Sequence, residues 1–317
     1  MLSRTSCPAC DSPRQVVIYE RLYSDPALLN FIQSYYRHAT PESIRRCTEN
    51  GSFAIVDCPA CGLLYQRDVP DAGALEEIYE RWLIEDDHLK PDAPPQPAAE
   101  YHYLASEVMH LLAEQRRLAA GDRRIAVLDF GAGWCNWLMM ARAFGARVFG
   151  SELSASKLEY ARSVGIPMLT LEQIGRMKFD LIATEQVFEH LVAPSPILRA
   201  LVSALEDTGF LKISVPNGRR VRAMLKTWTW QDADQRRAEL MPIHPLEHLN
   251  CFTRSSLDAF ASRHGLQPAA TSAFRAVRHS AAWSSPRACA KNLLRPLWRF
   301  SLRNGTYAVY GLRKRSN

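Results

Sequence analysis

Ile125-Ala126-Val127-Leu128-Asp129-Phe130-Gly131-Ala132-Gly133-Trp134-Cys135-Asn136-Trp137-Leu138 is the stretch whose reading decides the fold. A short apolar run closes on Asp129, passes two glycines set one residue apart, and enters a helical pattern. That order reads as strand, tight turn and helix, the unit with which α/β domains hold nucleotide-like ligands. Gly131 and Gly133 allow backbone conformations a side chain would forbid, and the first N–H groups of the following helix face the turn's contents. Outward from it, Arg147-Val148-Phe149-Gly150-Ser151-Glu152-Leu153-Ser154 is a second strand ending in an acid, and a carboxylate there can accept both ribose hydroxyls of an adenosine. Two ligand classes meet these requirements. A dinucleotide turn needs a third glycine where this chain has Asn136, which weakens the reading as an NAD-dependent oxidoreductase.

The choice comes from a third block, Phe179-Asp180-Leu181-Ile182-Ala183-Thr184-Glu185-Gln186-Val187-Phe188-Glu189-His190-Leu191. Further on stand Ile213-Ser214-Val215-Pro216-Asn217 and His248-Leu249-Asn250-Cys251-Phe252-Thr253-Arg254-Ser255-Ser256-Leu257. In this order the blocks resemble the signatures of class I S-adenosyl-L-methionine (SAM)-dependent methyltransferases: a strand closing on D/E-x-G-x-G, FDxI followed by EVLEHL, a strand with a P-N turn, and H-L-x-x-F-T-x-x-S-L. The resemblance covers residues 125–265. It implies an α/β, Rossmann-like methyltransferase fold with a seven-stranded, mostly parallel sheet, and SAM as methyl donor. It assigns Asp129, Gly131, Gly133 and Glu152 to the cofactor, joined by Leu153 and Glu185, with Leu171 or Glu172 facing the adenine.

Methyl transfer from a sulfonium depends first on alignment of nucleophile, methyl and sulfur. Candidate catalytic bases are His190, Glu189 and His248, because an imidazole near neutral pKa suits removal of a hydroxyl or amine proton; a purely structural role is the competing reading of each. Some ubiquinone-pathway O-methyltransferases of similar pattern hold a divalent metal through E-V-x-E-H. Here Gln186 replaces the first acid and only Glu189 and His190 match, which argues against a catalytic metal. His244 and His248 are spaced like helix ligands, but Pro245 and the lack of a Glu after His244 exclude a zincin site.

The N-terminal segment carries Cys7-Pro8-Ala9-Cys10 and Cys58-Pro59-Ala60-Cys61-Gly62. Cys7, Cys10, Cys58 and Cys61 can present their thiolates to one structural Zn²⁺, and Gly62 permits the tight turn after the second pair. The alternative is a set of unconnected buried thiols, the reading given to Cys47. A helical insert fills the gap between the pairs, starting with Asp25 as N-cap and Pro26 in the first turn. Zinc modules ending in a phrase like Cys61-Gly62-Leu63-Leu64-Tyr65 also begin some bacterial methyltransferases of sugar, glycan and natural-product pathways. The expected division is a zinc-binding module over 1–90, a proline-rich linker over 91–98, and the methyltransferase domain over 99–317.

Around the decisive blocks, the patterns predict helices over 101–118, 134–144 and 155–164, a third strand over 167–170, and a helix over 196–205 capped by Ser195. A strand follows over 210–215, and the last two are expected over 269–277 and 306–312. Thr253 should cap a helix reaching about 264. Residues 218–246, with Trp228 and Trp230, read either as a lid over the acceptor or as a packed excursion.

Hydrophobic residues make up 47% of the 317, enough for a large core, and a net charge of +6 is too modest to demand nucleic acid. From Arg287 onward the chain carries Arg287, Lys291, Arg295, Arg299, Arg303, Arg313, Lys314 and Arg315 without an acid. That stretch is either a solvated helix face or a dock for an anionic partner, such as a phosphate-bearing substrate, a carrier protein or a membrane surface. Neither an export signal nor a spanning apolar segment is visible, so a cytoplasmic protein is expected. The acceptor class is a small molecule: a sugar nucleotide, glycan precursor or natural-product intermediate. A non-catalytic methyltransferase-fold protein docking a nucleic acid or anionic partner is the alternative, and oligomeric state is open.

Overall fold

The structure is a computed structural model describing residues 1–83, 98–119, 121–269, 273–279, 283, 285–287, 289–290, 293–294 and 307–313. The expected linker, except Ala98, and most of the basic C-terminal stretch lie outside these residues. The strands in chain order are β1 Leu2–Ser3, β2 Val16–Leu22, β3 Ser52–Asp57, β4 Leu64–Gln66, β5 Asp68–Val69, β6 Ala126–Phe130, β7 Arg147–Ser151, β8 Phe179–Glu185, β9 Leu205–Ser214, β10 Asn250–Cys251, β11 Leu266–Pro268 and β12 Tyr307–Leu312. Two compact units divide the chain: Met1–Asp87 with Phe188–Ser195 and Pro216–Phe260, and His88–Val187 with Pro196–Val215 and Ala261–Asn317.

The first unit holds an antiparallel sheet in the order β10-β4-β3-β2 and the small β1-β5 pair. β3, apolar from Phe53 to Val56, is buried from Ser52 to Val56, as a central strand should be. Helix Pro26–Tyr35 starts as its sequence dictates, with the Asp25 carboxylate accepting from the N–H groups of Ala27 (2.9 Å) and Leu28 (3.2 Å). Its buried face, Leu28, Phe31 and Ile32, meets Phe53 and Ile55 in one core. Trp228 and Trp230 belong to that core, with Trp230 5.3 Å from Phe31 and 5.5 Å from Phe53 between ring centroids. Residues 218–246 are therefore a packed excursion of this unit, broken into the short helices Gly218–Arg220, Val221–Leu225, Arg237–Leu240 and Met241–Ile243.

The second unit is the α/β core. Its sheet runs β11-β12-β9-β8-β6-β7, parallel from β9 to β7, with β12 antiparallel to both its neighbours. Beyond β7 the seventh position is a single parallel bridge from Gly150 to Met168. The expected strand over 167–170 shrinks to that bridge because Pro167 has no N–H and Thr170 already caps helix Leu171–Gly175. Helices Ala98–Arg116, Asn136–Ala143 and Ala155–Ser163 match the expected positions closely.

Two expectations are corrected. Ser195 lies inside helix Pro194–Ser203 rather than capping it, and its hydroxyl donates instead to the Pro8 carbonyl at 2.9 Å. The strand drawn over 269–277 is not found among its described residues: the edge strand is β11, ending at Pro268, and Ala273–Arg278 is helical. Thr253 and Ser256 do form the reciprocal cap expected for helix Arg254–Arg263, at 2.9 and 3.2 Å.

The acid of the FDxI block serves the fold. Buried Asp180 accepts from both terminal nitrogens of Arg123, at 2.7 and 2.5 Å, and from the Ala126 N–H at 2.8 Å, tying β8 to the entry of β6. Asp180→Ala strands that N–H and releases the guanidinium to solvent, at a cost of about 2 kcal/mol, or roughly 4–8 °C in melting temperature. Calorimetry giving an unchanged melting temperature would contradict this role.

Candidate functional site

β6 delivers Asp129 to the turn that the glycines open. Gly131 has φ +80°, and a Cβ there would lie 2.5 Å from Val187 Cγ2, so only glycine fits. Gly133 has φ +53°, and a Cβ there would meet nothing within 4 Å; the turn borders open space at that point. The N–H groups of Gly131 and Ala132 donate to the Ser151 carbonyl at 2.9 and 3.0 Å, drawing the turn onto the end of β7.

Glu152 is fixed beside it. One carboxylate oxygen accepts from the Gly133 N–H (2.9 Å), the other from the N–H groups of Leu153 (2.7 Å) and Ser154 (3.1 Å). A carboxylate has about four acceptor sites and three are taken, so one is left for a ribose hydroxyl. Leu153 follows with 95% of its surface exposed, an apolar face beside the turn. Leu171 is half-exposed at the start of its helix, and Glu172 is ion-paired with Arg176.

Asp129 is only 3% exposed, and its Oδ1 has no hydrogen-bond partner among the described residues. Burial drives its pKa up to about 7, opposed by Lys212 and reinforced by Glu185 and Glu152. A buried acid with an orphaned oxygen fits a cationic ligand group such as the ammonium of SAM. Behind it lies a fully buried lysine that the sequence reading missed. Lys212 pairs with Glu107 at 2.8 Å and with Glu185, which also accepts from the Ser214 hydroxyl at 2.8 Å. Its signal was a charge inside the otherwise apolar run Phe210-Leu211-Lys212-Ile213.

In the first unit, the sulfurs of Cys7, Cys10, Cys58 and Cys61 all lie within 4.8 Å of one another. Cys7 and Cys61 are 3.6 Å apart, and Cys10 and Cys58 3.5 Å. Four thiolates bonded at about 2.3 Å to one tetrahedral Zn²⁺ would be about 3.8 Å apart, so the set fits zinc. Both CxxC turns are built alike: Asp11 N–H donates to Cys7 O (2.9 Å) and Gly62 N–H to Cys58 O (2.8 Å), with Asp11 at φ 59° and Gly62 at φ 73°. Aspartate tolerates that left-handed conformation in the first knuckle. Cys47 is buried in helix Pro41–Thr48, outside the cluster.

The same unit brings the three base candidates together: ligand atoms of Glu189, His190 and His248 all lie within 4.8 Å of one another. His190 Nε2 is 3.9 Å from Glu189 Oε1, and the two imidazole centroids are 4.7 Å apart. His190 Nδ1 meets the Glu247 carbonyl at 3.1 Å and the Tyr79 hydroxyl at 2.9 Å, while His248 Nδ1 faces the Met241 carbonyl. Asn250 pins the Glu189 turn, its side-chain amide donating to Phe188 O (2.8 Å) and Leu191 O (2.7 Å). Gln66 likewise donates to His244 O (2.8 Å) and His248 O (3.0 Å). Burial holds His190 down to about 3, with His248 adding to the effect, and His248 down to about 4, so both rings are neutral at pH 7.

A family model described as a methyltransferase domain matches residues 100–271, more than half of the chain. The chain belongs to the methyltransferase-domain family. It is a SAM-dependent methyltransferase, and the glycine turn with Asp129 and Glu152 lies within the matched span. Among solved structures, the plantazolicin methyltransferase BpumL in complex with SAH is 14% identical, with a TM-score of 0.42 over 76% of this chain and 95% of that one. PKMT2 from Rickettsia typhi is 14% identical, with a TM-score of 0.44 over 70% and 55%. The sugar N-methyltransferase KedS8 from Streptoalloteichus sp ATCC 53650 is 18% identical, with a TM-score of 0.30 over 40% and 57%. Comparison with curated proteins gives no match. No helix of this methyltransferase, among the described residues, is long and apolar enough to cross a membrane.

Proposed function

We propose that this methyltransferase methylates a small-molecule acceptor in the cytoplasm: a sugar nucleotide, glycan precursor or natural-product intermediate. Asp129, Gly131, Gly133 and Glu152 hold SAM, with Leu153, Leu171, Glu172 and Glu185 around it; Glu189, His190 and His248 act on the acceptor, and Cys7, Cys10, Cys58 and Cys61 hold a structural Zn²⁺. The observation that carries the cofactor assignment is Glu152 held by three N–H groups beside the open space at Gly133. The acceptor class rests on the likeness of the N-terminal cysteine module to those of small-molecule methyltransferases. Incubation with methyl-labelled SAM and a panel of sugar nucleotides, glycan precursors and natural-product intermediates should label at least one. Labelling of RNA or protein alone would overturn the acceptor class.

The ionisation of Asp129 gives this reading a pH signature. An ammonium binds the carboxylate better than the neutral acid. With a pKa of about 7, the ionised fraction rises roughly fivefold from pH 6 to pH 7, below the range of about 7.7–8.0 where the cofactor's own amine loses its proton. Calorimetric affinity for SAM should rise about fivefold over that interval and become flat in Asp129→Asn. The same slope in the variant would remove Asp129 from the ammonium contact.

A further inference from the structure

We propose that Glu189, His190 and His248 form a binding site for one divalent first-row transition-metal ion, distinct from the four-cysteine centre. The site lies in the first unit and does not rest on the reading of the cofactor or the acceptor.

The argument begins with the imidazole tautomers. A carbonyl oxygen can only accept, so the contact of His190 Nδ1 with the Glu247 carbonyl at 3.1 Å assigns the proton to Nδ1, with the Tyr79 hydroxyl oxygen at 2.9 Å accepting beside it. His248 Nδ1 faces the Met241 carbonyl in the same way. Both rings therefore keep a bare lone pair on Nε2. This is the arrangement in which histidine ligates metals: one nitrogen anchored to a backbone acceptor, which fixes orientation and raises basicity, and the other free to bind.

His190 Nε2 lies 3.9 Å from Glu189 Oε1, and the carboxylate is fully buried. Two imidazole nitrogens and one carboxylate oxygen make the two-histidine, one-carboxylate set that binds divalent transition ions and leaves positions open for further ligands. Bonds of about 2.1 Å would bring the donor atoms to about 3.0–3.4 Å from one another. The 3.9 Å pair needs to close by less than about 1 Å, within reach of side-chain rotation alone.

The frame around the donors is made before any ion arrives. Asn250 holds the Glu189 turn through two carbonyls, and Gln66 holds the His248 backbone. Arg4 adds donations to Leu191 O (3.1 Å) and Val192 O (2.7 Å). The replacement of the first acid of E-V-x-E-H by Gln186 counted against a metal in the sequence; the structure supplies a third donor from elsewhere, His248. With both lone pairs on an ion, neither imidazole is a general base. The cluster's chemistry then lies in the ion's open positions, which take oxygen donors.

Cobalt(II) titration of metal-free, full-length protein tests this, because the two centres have different spectra. Two equivalents should bind, one with intense thiolate-to-cobalt charge transfer from the cysteines and one adding only weaker ligand-field bands. His248→Gln and Glu189→Gln should each weaken the second equivalent more than tenfold and keep the charge-transfer band, which reports that the unit is folded. If one variant loses both signals, the other variant and the wild-type stoichiometry decide. A single, thiolate-bound equivalent in the wild type overturns the proposal, as does a second equivalent indifferent to both substitutions. Ligand-field bands without charge transfer would refute the cysteine centre and support this one.

Discussion

Cys58→Ser is expected to abolish zinc binding and to lower the melting temperature by more than about 10 °C. Cys58 is fully buried, with its sulfur 3.5 Å from that of Cys10 and its backbone closing the second knuckle. Serine cannot supply an anionic ligand at neutral pH, and three thiolates left around a dication bind it far less tightly. Structural zinc sites contribute about 10–16 kcal/mol to the folding of small peptides. Here much of that is replaced by the unit's own core of Leu28, Phe31, Ile32 and Phe53, so destabilisation rather than complete unfolding is the expected result. The lost link joins the N-terminal knuckle to the loop between β3 and β4, which are held together otherwise by their own short ladders. Elemental analysis with scanning calorimetry makes the comparison, and Cys47→Ser should retain full zinc. A wild-type protein that melts at the same temperature with and without a chelator would sink the zinc assignment.

Glu152→Ala should weaken SAM binding about 100-fold. A hydroxyl hydrogen bond to a carboxylate contributes about 1.5–3 kcal/mol, and the top of that range corresponds to two powers of ten in Kd. The substitution also frees the N–H groups of Gly133, Leu153 and Ser154, which loosens the turn the cofactor lies against. Glu152→Gln retains the shape and one acceptor, so its loss should be nearer tenfold. Glu152 is only partly buried, and calorimetric melting of the ligand-free protein should change little. Affinity within twofold of the wild type in both variants would take Glu152 out of the cofactor site.

What the sequence disclosed was what is local along the chain. The glycine turn, β6, β7 and Glu152 are adjacent in sequence and in space, so the geometry of the turn could be read directly. The cysteine knuckles are local in the same sense, and the fold gathers the four sulfurs that their spacing singles out. Where a competing local signal exists, the pattern misleads: Thr170 caps a helix and ends a strand before it forms, and Pro268 closes an edge strand before the run over 269–277. Glu189, His190 and His248 were visible one by one, but their juxtaposition depends on Asn250 and Gln66, contributed by two strands distant in sequence. Lys212 was hidden because its burial is made possible by Glu107, on a helix whose pattern looked ordinary.

The three-part composition of the first unit has a consequence for how the protein is made. A ribosome releases all four cysteines early, yet β4 waits for β10, and Phe31 and Phe53 wait for Trp230. Until residues 216–260 have emerged, the nascent N-terminal segment presents an unpaired strand edge and aromatic side chains with nothing to cover them. Thiols that could already capture a metal would then hold together a hairpin whose core is still to be synthesised, and much of the α/β core, written between these pieces, must be synthesised before the unit can close.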